Sequence, residues 1–101
     1  MRQTTLPEQT AKLIELGFEK PKNRLVKQRF DRSTSSWIVV GEEGNYYIGE
    51  LIEMLDGVSE LEITRFGSGW GAYDELRAFS AEELIDALYD MIIMLKEEGV
   101  I

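Results

Sequence analysis

The sequence contains no cysteine and no histidine, and each absence removes classes of chemistry. Without cysteine there are no disulfides, no thiolate nucleophiles and no cysteine–zinc sites. Histidine is the side chain most often used for acid–base catalysis and metal ligation near neutral pH, so its absence disfavours many kinds of enzyme. The sequence shows no recognisable nucleophile motif either. We therefore expect no catalytic residues, no metal site and no cofactor.

Long apolar runs and positive charges are also scarce. No apolar stretch approaches the roughly 18 residues of a membrane span, and residues 1–10 lack the apolar core of a signal peptide. We therefore expect a cytoplasmic protein that does not enter a membrane. The 11 Lys and Arg residues against 19 Asp and Glu give a net charge of −8. Such a charge disfavours nonspecific binding to nucleic acid and to anionic membranes.

What the chain does have is enough apolar content for a folded core. Its 101 residues are 44% hydrophobic, which predicts a single domain spanning residues 1–101. Periodicity and turn residues predict an α+β fold in the order α-β-β-α-β-β-α. We expect a mostly antiparallel sheet of about four strands with helices packed on one face.

The predicted elements follow from local patterns. A first helix begins at Pro7 and ends at Gly17, and a short helix over residues 49–55 turns Leu51, Ile52 and Leu55 inward. The predicted strands cover residues 24–30, 37–40, 60–66 and 70–79. Strand 37–40 is continuously apolar and is therefore predicted to be central. Turns are predicted over residues 31–35 and 41–45.

Residues 80–101 carry the strongest helix pattern in the chain. Ser80 and Glu83 have the spacing of a capping box, with Phe79 and Leu84 as its hydrophobic staple. Gly99 is placed to end the helix in the left-handed conformation. Apolar residues recur on one predicted core face: Leu84, Ile85, Leu88, Met91, Ile92 and Leu95.

The opposite face of this helix is acidic and is the best candidate for a binding site. Like-charged neighbours such as Asp86 and Asp90 each cost about a few tenths of a kcal/mol, so helix stability does not explain them. Two apolar residues flank the acids. The predicted site comprises Asp86, Asp90, Ile93, Met94 and Glu97. Apolar contacts within an acidic field suit a protein partner with a basic surface.

Three other functions stay open. Adjacent acid pairs such as Glu42 and Glu43 do not face each other across a substrate, but distant carboxylates could converge into a hydrolytic site. The basic segment 20–32 could contact nucleic acid directly, although the net charge makes this the weaker hypothesis. It could equally pair with the acidic remainder of the same chain. Ile93 and Met94 could also form a homodimer contact.

Two loops resemble ligand-binding motifs only superficially. Residues 31–42 have oxygen-bearing side chains at calcium-loop spacing, but Ser36 stands where that loop requires glycine. Residues 67–71 are rich in glycine, but a phosphate loop of the Walker type needs a lysine, and none occurs between Lys27 and Lys96. Turn chemistry explains both stretches.

In its second half the chain resembles small uncharacterised proteins encoded by prophages and other mobile elements of intestinal bacteria. The resemblance lies in residues 47–55, YIGELIEML, in the Trp70 hairpin, and in the closing helix with its tail EEGVI. No catalytic residues follow from this resemblance. The function we expect is that of a small accessory or inhibitory binding protein.

Overall fold

The computed structural model describes residues 1–22, 24–58 and 60–101, and for residues 24–27 and 40–43 it describes the backbone alone. Within these ranges the chain forms helices and two antiparallel sheets, so the predicted α+β class is confirmed. The elements in chain order are α1 (Pro7–Glu15), β1 (Arg24–Asp31), β2 (Ser36–Gly44), α2 (Ile48–Met54), β3 (Glu62–Phe66), β4 (Gly69–Tyr73), β5 (Ala78–Ala81) and α3 (Leu84–Glu97). The sheet prediction needs one correction, because the strands divide into the pair β1-β2 and the triplet β3-β4-β5.

Strands β1 and β2 form a hairpin around the turn predicted over residues 31–35. Asp31 pairs with Ser36 and Phe30 with Trp37. In the turn, Oδ1 of Asp31 accepts hydrogen bonds from the backbone N–H of Ser33 at 2.9 Å and from its hydroxyl at 2.7 Å. This is the local side-chain turn that favours aspartate at such a position.

The second predicted turn, over residues 41–45, is wrong. Residues 41–44 stay in β2 and pair with residues 24–27 of β1. The register shifts between Lys27 and Gln28, where a β-bulge leaves one extra residue in β2. A bulge accommodates the local mismatch without ending the ladder, so the strand continues through glycines that otherwise indicate a turn.

The predicted strand over residues 70–79 divides into β4 and β5. The side chain of Asp74 makes the division, because its Oδ1 accepts the backbone N–H of Leu76 at 2.8 Å and that of Arg77 at 2.6 Å. The chain therefore reverses, and β5 pairs with β4 in the register Gly71 to Ser80 and Ala72 to Phe79.

The predicted start of α3 is wrong for the same reason. Ser80 lies in β5 and does not cap a helix, because the backbone around it pairs with β4. The helix begins instead at Leu84, with Glu83 in an extended conformation as its N-cap. Fourteen residues give a length of about 21 Å at the usual rise per residue. The predicted end is confirmed: Gly99 has φ 77°, and the Val100 N–H donates to the Leu95 carbonyl at 2.9 Å.

The core lies between α3, α2 and the three-stranded sheet. Every residue of the predicted core face of α3 is buried, and α3 packs against α2, β4 and β5. Leu13 of α1 and Leu51 and Leu55 at α2 are also buried. Ile52 was predicted to point inward and is instead 38% exposed. Helix α2 therefore contributes a narrower apolar stripe than its sequence indicates.

The molecule is elongated. Its Cα radius of gyration is 17.0 Å and its principal extents are 59 × 31 × 17 Å. A compact chain of this length would have a radius of gyration near 13 Å, by the usual scaling with residue number (about 2.2·N^0.38 Å). Strands β1 and β2 contact chiefly each other, whereas β4 and β5 are packed under α3. We call residues 24–44 the arm, and the rest of the chain the body.

Candidate functional site

Helix α3 presents the predicted site residues on the side away from the core. Asp90, Met94 and Glu97 are exposed, and Met94 is 41% exposed. Ile93 is half-buried and packs partly against the core cluster. These four residues form one continuous patch along the outer side of the helix, which we call the α3 face.

Asp86 lies at the edge of the α3 face and is already paired within the chain. Its Oδ1 accepts hydrogen bonds from the Arg2 guanidinium and from the Gln9 side-chain amide, the latter at 2.8 Å. Gln9 also accepts the Leu6 N–H at 2.9 Å, which satisfies a donor at the start of α1. The Arg2 backbone N–H donates to the carboxylate of Glu83 at 2.8 Å. Asp86 therefore holds the N-terminal segment and α1 against α3.

Asp90 has no such partner among the described residues, and its environment favours the neutral form of its carboxyl. Partial burial, followed by the charge of Asp86, raises the pKa of the Asp90 carboxyl above its ordinary value. The pKa of the neighbouring Tyr89 hydroxyl is also raised, first by burial and then by the charges of Asp90, Glu8 and Glu97. The region thus concentrates negative potential. A cationic group placed there would be stabilised.

Glu98, beyond the end of α3, has a structural explanation. Its Oε2 accepts a hydrogen bond from the Arg77 guanidinium, which also contacts Oδ2 of Asp74 at 3.3 Å. An acid at the negative end of a helix is unfavourable by itself, but the paired arginine offsets this. Glu97 is exposed and is left on the α3 face.

The basic segment 20–32 divides between body and arm. The Lys22 ammonium contacts Glu53 of α2 at 3.3 Å, and its backbone N–H donates to Glu50 at 3.2 Å. The basic and acidic parts of the chain therefore meet in the body, as they do at Arg2 and Asp86. Arg29 and Arg32 lie near the tip of the arm and are exposed.

The arm carries an exposed apolar face that the sequence analysis missed. Phe30, Trp37 and Val39 are 45%, 66% and 62% exposed, respectively. Phe30 and Trp37 are opposite each other in the ladder, and Val39 lies two residues along on the same side of the ribbon. The two rings meet edge to face with centroids 5.4 Å apart. Together these three residues form what we call the arm face.

Strand 37–40 was predicted to be central, and that prediction is wrong. Its sheet has two strands, and both are edges. Counting outward from the centre of the predicted turn, residues 31–35, pairs Phe30 with Ser36, one residue away from its observed partner Trp37. The exposure of Phe30 and Trp37 could not be predicted, since it depends on whether another element covers that side.

Two clefts in the described part of the body are lined in part by carboxylates. One, of about 180 Å³, brings Glu19 together with Glu50 and Glu53 of α2, and the latter two already bond Lys22. A second, of about 320 Å³, is lined in part by Glu82 and Glu83. Asp90, whose pKa is raised, lies outside both.

The described part of the chain contains no group of three or more acidic side chains placed to hold a metal ion. Within the same ranges, no helix has the length and apolar character needed to cross a membrane. Comparisons with protein-family models, with curated proteins and with solved structures find no match to this chain. Its function therefore has to be inferred from the two exposed faces.

Proposed function

We propose that the protein acts by binding another protein chain and that the arm makes the principal contact. The observation that carries this proposal is the arm face, where Phe30, Trp37 and Val39 share one exposed side of a two-stranded ribbon. Scattered exposed apolar residues are ordinary on protein surfaces. Three adjacent ones on a projecting element form a contiguous patch, which is typical of an interaction site.

The energetics favour a partner for the arm. An isolated two-stranded hairpin is marginally stable at best in water, because its two strands bury little apolar surface. Covering apolar area contributes roughly 25 cal/mol per Å² removed from water. Tryptophan at the centre of a patch is also among the residues that most often dominate binding energy. A bound partner would therefore stabilise the arm.

Charge specifies what kind of surface fits each face. Arg29 and Arg32 accompany the arm face and favour an acidic, partly apolar partner. The α3 face, with Asp90, Ile93, Met94 and Glu97, favours a partner with a basic surface, as the sequence predicts. The two faces differ in charge but share a mixed apolar and charged character.

An accessory or inhibitory role in the cytoplasm completes the proposal. It is supported by the resemblance of residues 47–55 and of the closing helix to small proteins of prophages and mobile elements. It is also supported by the absence of histidine and cysteine, which leaves binding as the simplest activity for this chain.

Direct nucleic-acid binding through residues 20–32 is the second candidate. One observation favours it: exposed arginines lie beside the Phe30 and Trp37 rings, and aromatic rings can stack on unpaired bases. The net charge of −8 and the engagement of Lys22 by Glu53 oppose it.

Photo-crosslinking from the arm tests the proposal. A photoreactive phenylalanine analogue replaces Trp37 in the chain expressed in its own cells, and the matched control carries the analogue at Leu76. Leu76 is 83% exposed on the turn between β4 and β5, so it is equally accessible but lies on the body. We expect protein adducts from position 37 and few from position 76. Equal labelling from both positions, or adducts to nucleic acid alone, would overturn protein binding by the arm.

A further inference from the structure

We propose that the partner of the arm is a second copy of this chain, and that the arm face of each copy docks on the α3 face of the other. This inference rests on the proposed function, because it names the partner of the same surface. It also assigns a role to the α3 face, whose predicted partner has a basic surface.

The outer arm has the chemistry that the α3 face requires. Residues 27–39 contain Lys27, Arg29 and Arg32 but a single acid, Asp31. That acid is hydrogen-bonded to Ser33 in the turn, which lowers the pKa of the Asp31 carboxyl. Since this segment has a net charge of +2 within a chain of −8, the rest of the chain has a charge of −10. The outer part of the arm, residues 27–39, is thus basic and apolar, although Glu42 and Glu43 lower the net charge of the whole arm to +1.

The α3 face has the complementary chemistry. Asp90 lies one helical turn before Ile93 and Met94, and Glu97 lies one turn after them, so the two apolar residues lie between two acids along the exposed side. Asp86 is paired with Arg2 and Gln9, whereas Asp90 has no cationic partner among the described residues. An arginine of the arm would supply the missing positive charge, while Trp37 and Val39 would cover Met94 and Ile93.

The dimensions of the two faces agree. Helix α3 has 14 residues and is about 21 Å long at 1.5 Å per residue. Strand β1 has 8 residues and is about 27 Å long at about 3.4 Å per residue. An arm lying along the helix could therefore contact Asp90 and Glu97 together. Contacts at both acids would attract the arm and would also fix its orientation along the helix.

The shape of the chain favours exchange between copies over folding back. The principal contacts of α3 within its own chain are with α2, β4 and β5, and the arm extends the molecule to 59 Å. In a two-fold symmetric dimer the same contact forms twice, because each copy offers one arm and one α3 face. Two equal contacts would bury both exposed apolar patches at once.

Nucleic acid is the less favoured occupant of the arm. A phosphate backbone approaching the arm would also meet the acidic body, whose net charge is −9. Repulsion of this kind weakens nonspecific phosphate binding. In the dimer, by contrast, the acidic α3 face of one copy lies against the basic outer arm of the other, so their charges attract each other.

Charge exchange tests the docking directly. The arm variant carries Arg29→Glu with Arg32→Glu, and the face variant carries Asp90→Lys with Glu97→Lys. Molar mass is measured by light scattering from about 1 μM to about 1 mM, the range of weak to moderate affinities. We expect the parent to approach twice 11.6 kDa as concentration rises. Each variant alone should associate at least tenfold more weakly.

An equimolar mixture of the two variants should regain association, because each arm then meets a face of opposite charge. The chain carrying all four substitutions should also regain it. Failure of both to recover, or a parent that stays monomeric, would overturn the dimer. If the parent stays monomeric, the crosslinks from position 37 distinguish the dimer from the proposed function. Adducts to a different protein would support protein binding by the arm and would show that its partner is not a second copy. Nucleic-acid adducts would remove both.

Discussion

The two sheets of this protein use similar strand sequences in opposite ways. In the three-stranded sheet, helix α3 covers β4 and β5, and Ala72 is fully buried. In the arm, Trp37 and Val39 are more than half exposed although their strand is among the most apolar in the chain. Apolar residues of β4 therefore lie in the core, whereas those of the arm form a surface patch, and β3 likewise leaves Ile63 and Phe66 exposed. What differs is the presence of a covering helix.

The comparison teaches that strand propensity and burial are separate properties. Val, Ile and Trp favour extended backbone wherever they lie, because their side chains fit a pleated surface. Burial requires a second layer, which the arm lacks within its own chain. We expect the global stability of the protein to depend on the body and its association to depend on the arm.

The largest contrast should come from truncating a buried and an exposed apolar residue. Leu88 on α3 is fully buried, so Leu88→Ala should lower the free energy of unfolding by about 2–5 kcal/mol. Val39→Ala, on the arm, should change it by less than about 0.5 kcal/mol. Urea denaturation of both variants measures the difference. Equal losses would show that the arm belongs to the cooperative core.

Backbone strain offers a second contrast between body and arm. Gly99 has φ 77° at the end of α3, so Gly99→Ala should cost about 1–2 kcal/mol in global stability. Ser35 has φ 50° in the turn of the arm, where glycine is better tolerated. Ser35→Gly should therefore leave the free energy of unfolding, measured in urea, within about 0.5 kcal/mol of the parent value. A larger change would show that the arm unfolds together with the body.

Two aspartates sharpen the comparison at the level of polar contacts. Asp86 joins α3 to Arg2 and Gln9, and Asp86→Ala should cost about 1 kcal/mol, discounted because its side chain is partly exposed. Asp31 bonds only within the turn of the arm, and Asp31→Ala should not move the global midpoint. Thermal unfolding of the two variants side by side checks this. A larger loss at Asp31 would contradict the division into arm and body.

The smallest expected effect is a pH dependence at Asp90. Burial and Asp86 raise the pKa of its carboxyl in the folded protein, so protonation favours folding. That contribution is present below the ordinary value of 3.8 and is lost as pH rises through the raised pKa. The stability of Asp90→Asn relative to the parent should therefore increase as the pH rises from about 3 to about 7. Urea titrations of both proteins at several pH values measure this. A difference in their free energies of unfolding that does not change with pH would contradict the prediction.

The sequence predicts what local patterns determine. The core face of α3 follows from its apolar spacing, and Gly99 ends that helix because glycine adopts positive φ without strain. Ser80 shows where local reasoning fails. It has the spacing of a helix cap, but β5 pairs with β4, and that pairing depends on the Asp74 turn.

The candidate site shows the same division. The acidic outer side of α3 was predictable from the helix period, and the structure places Asp90, Met94 and Glu97 there. The partner of Asp86 was not, since Arg2 lies 84 residues away in sequence. Exposure of Trp37 was likewise unpredictable, because no local pattern shows which strands a helix will cover.

Hydrogen exchange of the backbone amides at low and high protein concentration tests the central claim most directly. At low concentration we expect α3 amides to be strongly protected and arm amides to exchange rapidly, because the arm lacks a covering layer. At high concentration the protection of the arm and of the outer side of α3 should rise together. An arm as protected as α3 in the dilute monomer, or one whose exchange does not change with concentration, would contradict the claim.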